Sequence, residues 1–97
     1  MAMNNKLTGV IRGRAIQDVA SVDGTLTILF DDGSTMTVQT ADGPVPNLGS
    51  GKVKSVWQEG TTLTFGFEDG TKCAVEMEEE TSSVMLRDRD QSFEYAN

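Results

Sequence analysis

AIQDVASVDGTLTILFDDGSTMTV, residues 15–38, recurs without a gap as KVKSVWQEGTTLTFGFEDGTKCAV, residues 52–75, displaced by 37 positions. Val19 matches Val56, Thr25-Leu26-Thr27 matches Thr62-Leu63-Thr64, Phe30 matches Phe67, Asp32-Gly33 matches Asp69-Gly70, and Val38 matches Val75. Self-similarity of this length points to one supersecondary unit used twice. Within each copy the apolar residues alternate with a period of two, the pattern of a strand with one buried face. Leu26, Ile28 and Phe30 fall on one face in the first copy, and Leu63, Phe65 and Phe67 in the second; Thr62, Thr64 and Gly66 are expected to face outward.

Turn chemistry divides each copy into three strands. Asp23-Gly24 and Glu59-Gly60 close the first hairpins, and Asp31-Asp32-Gly33 and Glu68-Asp69-Gly70 the second, with glycine supplying the positive φ such turns need. The third strands place Met36 and Val38, or Cys73 and Val75, toward the core. Ile16 and Val19 are three apart, as are Val53 and Val56, so strict alternation fails at the same point in both copies. A β-bulge or a sharp bend there suits a short strand in a curved sheet, and a short helix, which also fits a spacing of three, is disfavoured by the β-rich context and the flanking turns.

Working outward, residues 41–51, ADGPVPNLGSG, read as a linker between the copies. Leu7 to Ile11 are expected to add an edge strand. Residues 84–97 hold a C-terminal strand beginning VMLRDR and a tail, QSFEYAN, that adds a strand through Phe93 and Tyr95 or frays. If the last strand returns through a Ser82-Ser83 turn, Arg87 comes within diagonal reach of Glu76. The fold class expected is all-β: one domain over residues 1–97, as a small SH3-like barrel or a compact sandwich, from two three-stranded meanders plus N- and C-terminal strands. So small a domain has a thin stability margin, which favours a homo-oligomer.

Eight Lys and Arg against fifteen Asp and Glu give a net charge of −7. That charge opposes direct binding to nucleic acid or anionic membrane, which rests on cations meeting phosphate. The chain has one cysteine, Cys73, and no histidine. A lone cysteine builds no disulfide framework and no zinc site, and its match to Met36 reads as a core thiol. Without histidine the commonest general base is missing, so no enzymatic activity and no cofactor or metal site are expected. The opening MAMNNKLTGVIRGR lacks a signal-peptide core, and the expected location is the cytoplasm.

The copies differ at Trp57 for Ala20, Gly66 for Leu29, and Lys52 and Lys54 for Ala15 and Gln17. An aromatic beside a glycine reads first as packing, with Trp57 closing one end of the barrel and Gly66 making room for it, and otherwise as a shallow pocket. A basic and aromatic surface would draw on Arg12, Arg14, Lys52, Lys54, Arg87 and Arg89 with Trp57, Phe93 and Tyr95. The candidate binding patch is Trp57, Lys54, Arg87, Arg89 and Tyr95. The leading expectation is a binding module for protein–protein contacts, including self-association, through the barrel surface or an exposed sheet edge, of which Leu7 to Ile11 is the first choice. One alternative is an acidic phage or mobile-element inhibitor that acts as a decoy for a basic host factor. Another is a small-molecule binder with its pocket at Trp57, Arg87 and Arg89.

Overall fold

The computed structural model describes residues 2–41, 51–79 and 84–96. The elements in chain order are β1 (Ala2–Met3), α1 (Asn5–Ile11), β2 (Ile16–Val22), β3 (Thr25–Phe30), β4 (Thr35–Gln39), β5 (Val53–Glu59), β6 (Thr62–Phe67), β7 (Lys72–Glu76), β8 (Val84–Arg87) and β9 (Phe93–Ala96). They form two sheets of antiparallel pairs, one in the order β1-β5-β6-β7 and one in the order β2-β3-β4-β8-β9. The architecture is all-β with one short helix, each sheet is built around one meander, and neither sheet closes into a barrel.

The period-two faces fall as their composition demands. Leu26, Ile28 and Phe30 of β3 and Leu63, Phe65 and Phe67 of β6 are buried in one apolar core with Met36, Val38 and Val75. Burying one such side chain contributes roughly 1.5–3 kcal/mol. The ladder slips by one residue in each first strand: Ile16 faces Phe30 and Asp18 faces Leu29, while Val53 faces Phe67 and Ser55 faces Gly66. Gln17 and Lys54 are thus the extra residues of two bulges. The slip resets the alternation, so Ile16, Val53 and Val56 are buried and Val19 packs against the core despite the spacing of three.

Asp23 and Gly24 take φ of 51° and 81°, the double positive φ of a type I′ hairpin. In the second turns, Gly33 and Gly70 sit at φ of 89° and 92°. Their surroundings differ: a Cβ on Gly33 would lie 2.9 Å from the Arg89 Cβ, whereas one on Gly70 meets nothing within 4 Å. Gly70→Ala is therefore expected to cost about 1–2 kcal/mol of left-handed strain, and Gly33→Ala more, since neither Cβ can turn aside. Denaturation midpoints of the two variants test the order; an equal or larger loss at Gly70 would contradict it.

The two meanders meet through paired contacts. Ala15 bridges Lys52 and Thr40 bridges Met77, each a residue facing its own counterpart 37 positions on. Around the first bridge Val53 N donates to Arg14 O at 3.0 Å and Ile16 N to Gly51 O at 3.4 Å. Around the second, Ala41 N donates to Glu76 O at 3.0 Å and Glu78 N to Gln39 O at 2.8 Å. Because these bonds come in equivalent couples, the units are related by an approximate two-fold axis through the bridges.

Three expectations are corrected or left open. Residues Leu7 to Ile11 are helical rather than an edge strand: Asn4 caps α1 by accepting the Leu7 amide at 3.0 Å, and Leu7, Thr8 and Ile11 line its buried face. Gly13, just past the C-cap Arg12, takes φ of 86°, the usual left-handed stop. The C-terminal strand does not pair with β7. β8 adds to β4, with Thr35 opposite Arg87, and β9 completes the sheet, so Arg87 is not Glu76's cross-strand neighbour. Nearly all of the expected linker, and the Ser82-Ser83 turn, lie outside the described residues.

Arg14 ties the β8–β9 hairpin to the first meander. Its guanidinium reaches Glu94 through Nη1 at 3.1 Å and Nη2 at 2.8 Å, Ser34 Oγ at 2.9 Å, and Asp32 Oδ2 from Nε at 3.0 Å. Such a two-pronged arginine–carboxylate pair fixes geometry as well as charge.

Candidate functional site

Two surfaces distinguish the otherwise equivalent units. The first is the outer edge of the leading strand. In the second unit the N-terminal segment covers the β5 edge: β1 pairs with Trp57 and Gln58, Asn4 N donates to Val56 O at 2.8 Å, and Thr8 Oγ1 accepts the Val56 amide at 2.9 Å. The equivalent strand, β2, ends the order of its sheet, and no described segment pairs with its outer side. The closing pair of its two-residue hairpin is Val22–Thr25, so by antiparallel alternation Val19 and Ser21 direct their backbone groups outward. The Val19 amide donates to the neighbouring Asp18 carboxylate, at 2.9 Å.

The second surface is the outer face of the β5-β6-β7 meander. Ser55, Gly66 and Lys72 stand opposite one another across three strands, and Trp57, Thr64 and Ala74 form the next row. The counterparts in the first unit are Asp18, Leu29 and Thr35, then Ala20, Thr27 and Thr37. Leucine gives way to glycine and alanine to tryptophan on one face. Trp57 Nε1 donates to Ser55 Oγ at 2.9 Å, and a Cβ on Gly66 would lie 2.9 Å from that Oγ and 3.9 Å from the indole nitrogen. The indole therefore leans over a space that only glycine leaves open. Its cover explains why Thr64 and Gly66, expected outward, are buried while Thr27 and Leu29 remain half-exposed.

The depression beside Trp57 measures about 330 Å³. Arg12, from the end of α1, Lys54, from the β5 bulge, and Lys72, from the start of β7, reach its rim, and among the described residues no carboxylate lines it. Among the described residues none of these three cations has an ion-pair partner.

Of the residues expected to form a patch, Trp57 and Lys54 come together here. Arg87, Arg89 and Tyr95 do not join them, because β8 and β9 extend the other sheet. Arg87 lies over the Phe93 ring at 4.1 Å and donates to Gln91 O at 2.8 Å. Arg89 backs onto Gly33, and Tyr95 Oη accepts from Asn4 Nδ2 at 3.0 Å with the Lys6 ammonium 5.9 Å from its ring. Lys72 was readable by comparing the copies, as the partner of Thr35. Arg12 was legible only as one of many cations, since α1 is what brings it to the rim.

Cys73 is half-buried rather than fully enclosed like its counterpart Met36. Burial raises its thiol pKa above the ordinary value, so it is less of a thiolate than a free cysteine. The difference follows from topology: β8 covers the edge of β4, while β7 ends its sheet. Among the described residues no group of three or more Cys, Asp or Glu side chains is disposed to hold a metal ion, and no helix is long and apolar enough to cross a membrane. No protein-family description matches the chain, and neither the curated proteins nor the solved structures include one significantly similar to it.

Proposed function

We propose that the chain is a non-enzymatic binding module, its two units serving as halves of one sandwich-like scaffold, that self-associates along β2. The observation that carries this reading is the contrast between equivalent edges. β5 takes an antiparallel strand from its own chain, whereas β2 offers the same row of outward backbone groups to another chain. The partner that fits is a second copy, β2 against β2. Centred on Ala20, such a pairing sets Asp18 opposite Val22 and Val19 opposite Ser21, so no two acids face each other. Val22 is 66% exposed in the single chain and gains cover in the pair.

Light scattering at rising concentration is expected to show a mass approaching twice the 10.5 kDa of one chain. Because each copy carries −7, salt should promote the association by screening repulsion. Val22→Asp sets an acid against Asp18 of the other copy twice per dimer and should weaken it about tenfold. The exposed position leaves the fold itself untouched. A single-chain mass at every concentration and salt, or a dimer indifferent to Val22→Asp, would remove this reading.

A further inference from the structure

The geometry points to a second, independent site: the depression beside Trp57 binds a small aromatic anion, a flat ring carrying a phosphate as in a nucleoside monophosphate. Three features of the depression divide the work. The indole of Trp57, held by its bond to Ser55, supplies a fixed aromatic surface against which a ring can stack. Gly66, where the first unit has Leu29, lines the floor and lets the Ser55 hydroxyl and the indole settle close over it, which fixes the ring at the edge of the depression. Arg12, Lys54 and Lys72, without an ion-pair partner among the described residues, supply cations at the rim for the anionic group. Ser55 Oγ accepts from the indole and so keeps its own O–H for donation to a ligand oxygen.

The comparison of the units makes the clustering specific. At the equivalent face the first unit presents Gln17, Asp18, Ala20, Leu29 and Thr35 where the second presents Lys54, Ser55, Trp57, Gly66 and Lys72. Every one of these differences either removes negative charge, adds positive charge, opens space or adds an aromatic ring. The next row of the same face is acidic, Glu59 and Glu76 on either side of Thr62, but in a chain of net charge −7 a depression lined by three cations and, among the described residues, by no carboxylate is a local reversal of sign.

Size and reach select a small ligand over a polymer. The volume, about 330 Å³, lies at the lower end of the range for small-molecule sites. A nucleic-acid strand needs a track of cations leading away from the stacking ring. Here Arg14 is engaged by Glu94 and Asp32, and Arg87 by Phe93 and Gln91, both in the other sheet.

Trp57 is the only tryptophan, so its fluorescence reports this site alone. Titration with adenosine 5′-monophosphate, followed by tryptophan emission and by calorimetry, is expected to saturate with a Kd on the order of 0.1 mM. Adenosine and inorganic phosphate, each supplying half of the recognition, should bind at least about tenfold more weakly. The Lys54→Gln, Lys72→Thr double variant restores first-unit residues at exposed positions and should weaken the nucleotide about tenfold. Gly66→Leu should abolish binding, with circular dichroism confirming the fold; because its Cβ crowds Ser55, the lysine variant carries the test if that protein does not fold. No heat and no emission change with the monophosphate, or equal affinity in the lysine variant, overturns the assignment. So does a single-stranded oligonucleotide that binds far more tightly than the monophosphate. None of these outcomes depends on the oligomeric state.

Discussion

Phe65→Ala is expected to lower the unfolding free energy by about 3–5 kcal/mol, the range for truncating a buried phenylalanine. Phe65 is fully buried in the middle of β6, flanked across the ladder by Val56 and Cys73 and along its own face by Leu63 and Phe67. Removing the ring gives up its transfer energy and leaves a void that the strands on either side cannot close. A domain of this size is stable by only about 5–15 kcal/mol, so a large share of the total goes with one side chain. Phe93→Ala is the internal control. Phe93 is 62% exposed, and the Arg87 guanidinium over its ring is worth about 0.5–1 kcal/mol at such a site. Urea denaturation of both variants measures the contrast; equal losses would contradict the placement of β6 at the centre of the core.

Arg14→Met should have the next largest effect, a loss of about 2–3 kcal/mol. That is below the 3–5 kcal/mol of a fully buried broken pair because the Arg14 and Glu94 side chains remain 18% and 22% exposed. Methionine keeps much of the packing of the stem but leaves Glu94 and Ser34 without their donor. Arg14→Lys keeps the charge and loses the fork, and should fall between. The same site gives the variant a distinct acid response. Burial pushes the Asp32 carboxyl up, but hydrogen bonds from the Ser34 hydroxyl and amide, with the Arg14 charge, outweigh it and hold the pKa below the ordinary carboxylate value. A pKa lowered by folding gives stability that is present above the unfolded value and lost as pH falls through the folded one. The parent should therefore lose stability as pH drops below about 4, and Arg14→Met should lose less over that window. The dependence does not vanish, because Asp69 is also held low, by the Thr71 hydroxyl and amide, with no help from Arg14. Denaturation midpoints at neutral pH and near pH 3, for parent and variant, check the difference.

What could be read from the chain was what local physics decides. The Asp-Gly turns, the inward faces of TLTILF and TLTFGF, and the twin bulges at Gln17 and Lys54 all follow from residues within a few positions of one another. α1 was legible too, in Asn4 as a cap, the four-residue spacing of Leu7 and Ile11, and Gly13 as a stop, but the surrounding β pattern obscured it. The pairing of β8 with β4 had no local signal. Thr35 and Arg87 meet across 52 positions, and either β4 or β7 offers an apolar strand of similar length. That one choice moved Arg87, Arg89 and Tyr95 away from Trp57. The Trp57–Gly66 pair was visible because the repeat supplies its own reference, against which a missing leucine stands out.

The bridges of Ala15 to Lys52 and of Thr40 to Met77 join each residue to its own counterpart, as the contacts of a symmetric dimer do. In a dimer of separate chains such an interface holds only at sufficient concentration, whereas a peptide link between the halves supplies an effective concentration in the millimolar range. It also releases them from identity. Two identical subunits cannot carry leucine in one and glycine in the other, nor place a tryptophan on one side alone. Fusion lets a symmetric framework hold an asymmetric surface, so Leu29 can go on filling one face while Gly66 makes room on the other for Ser55 and Trp57.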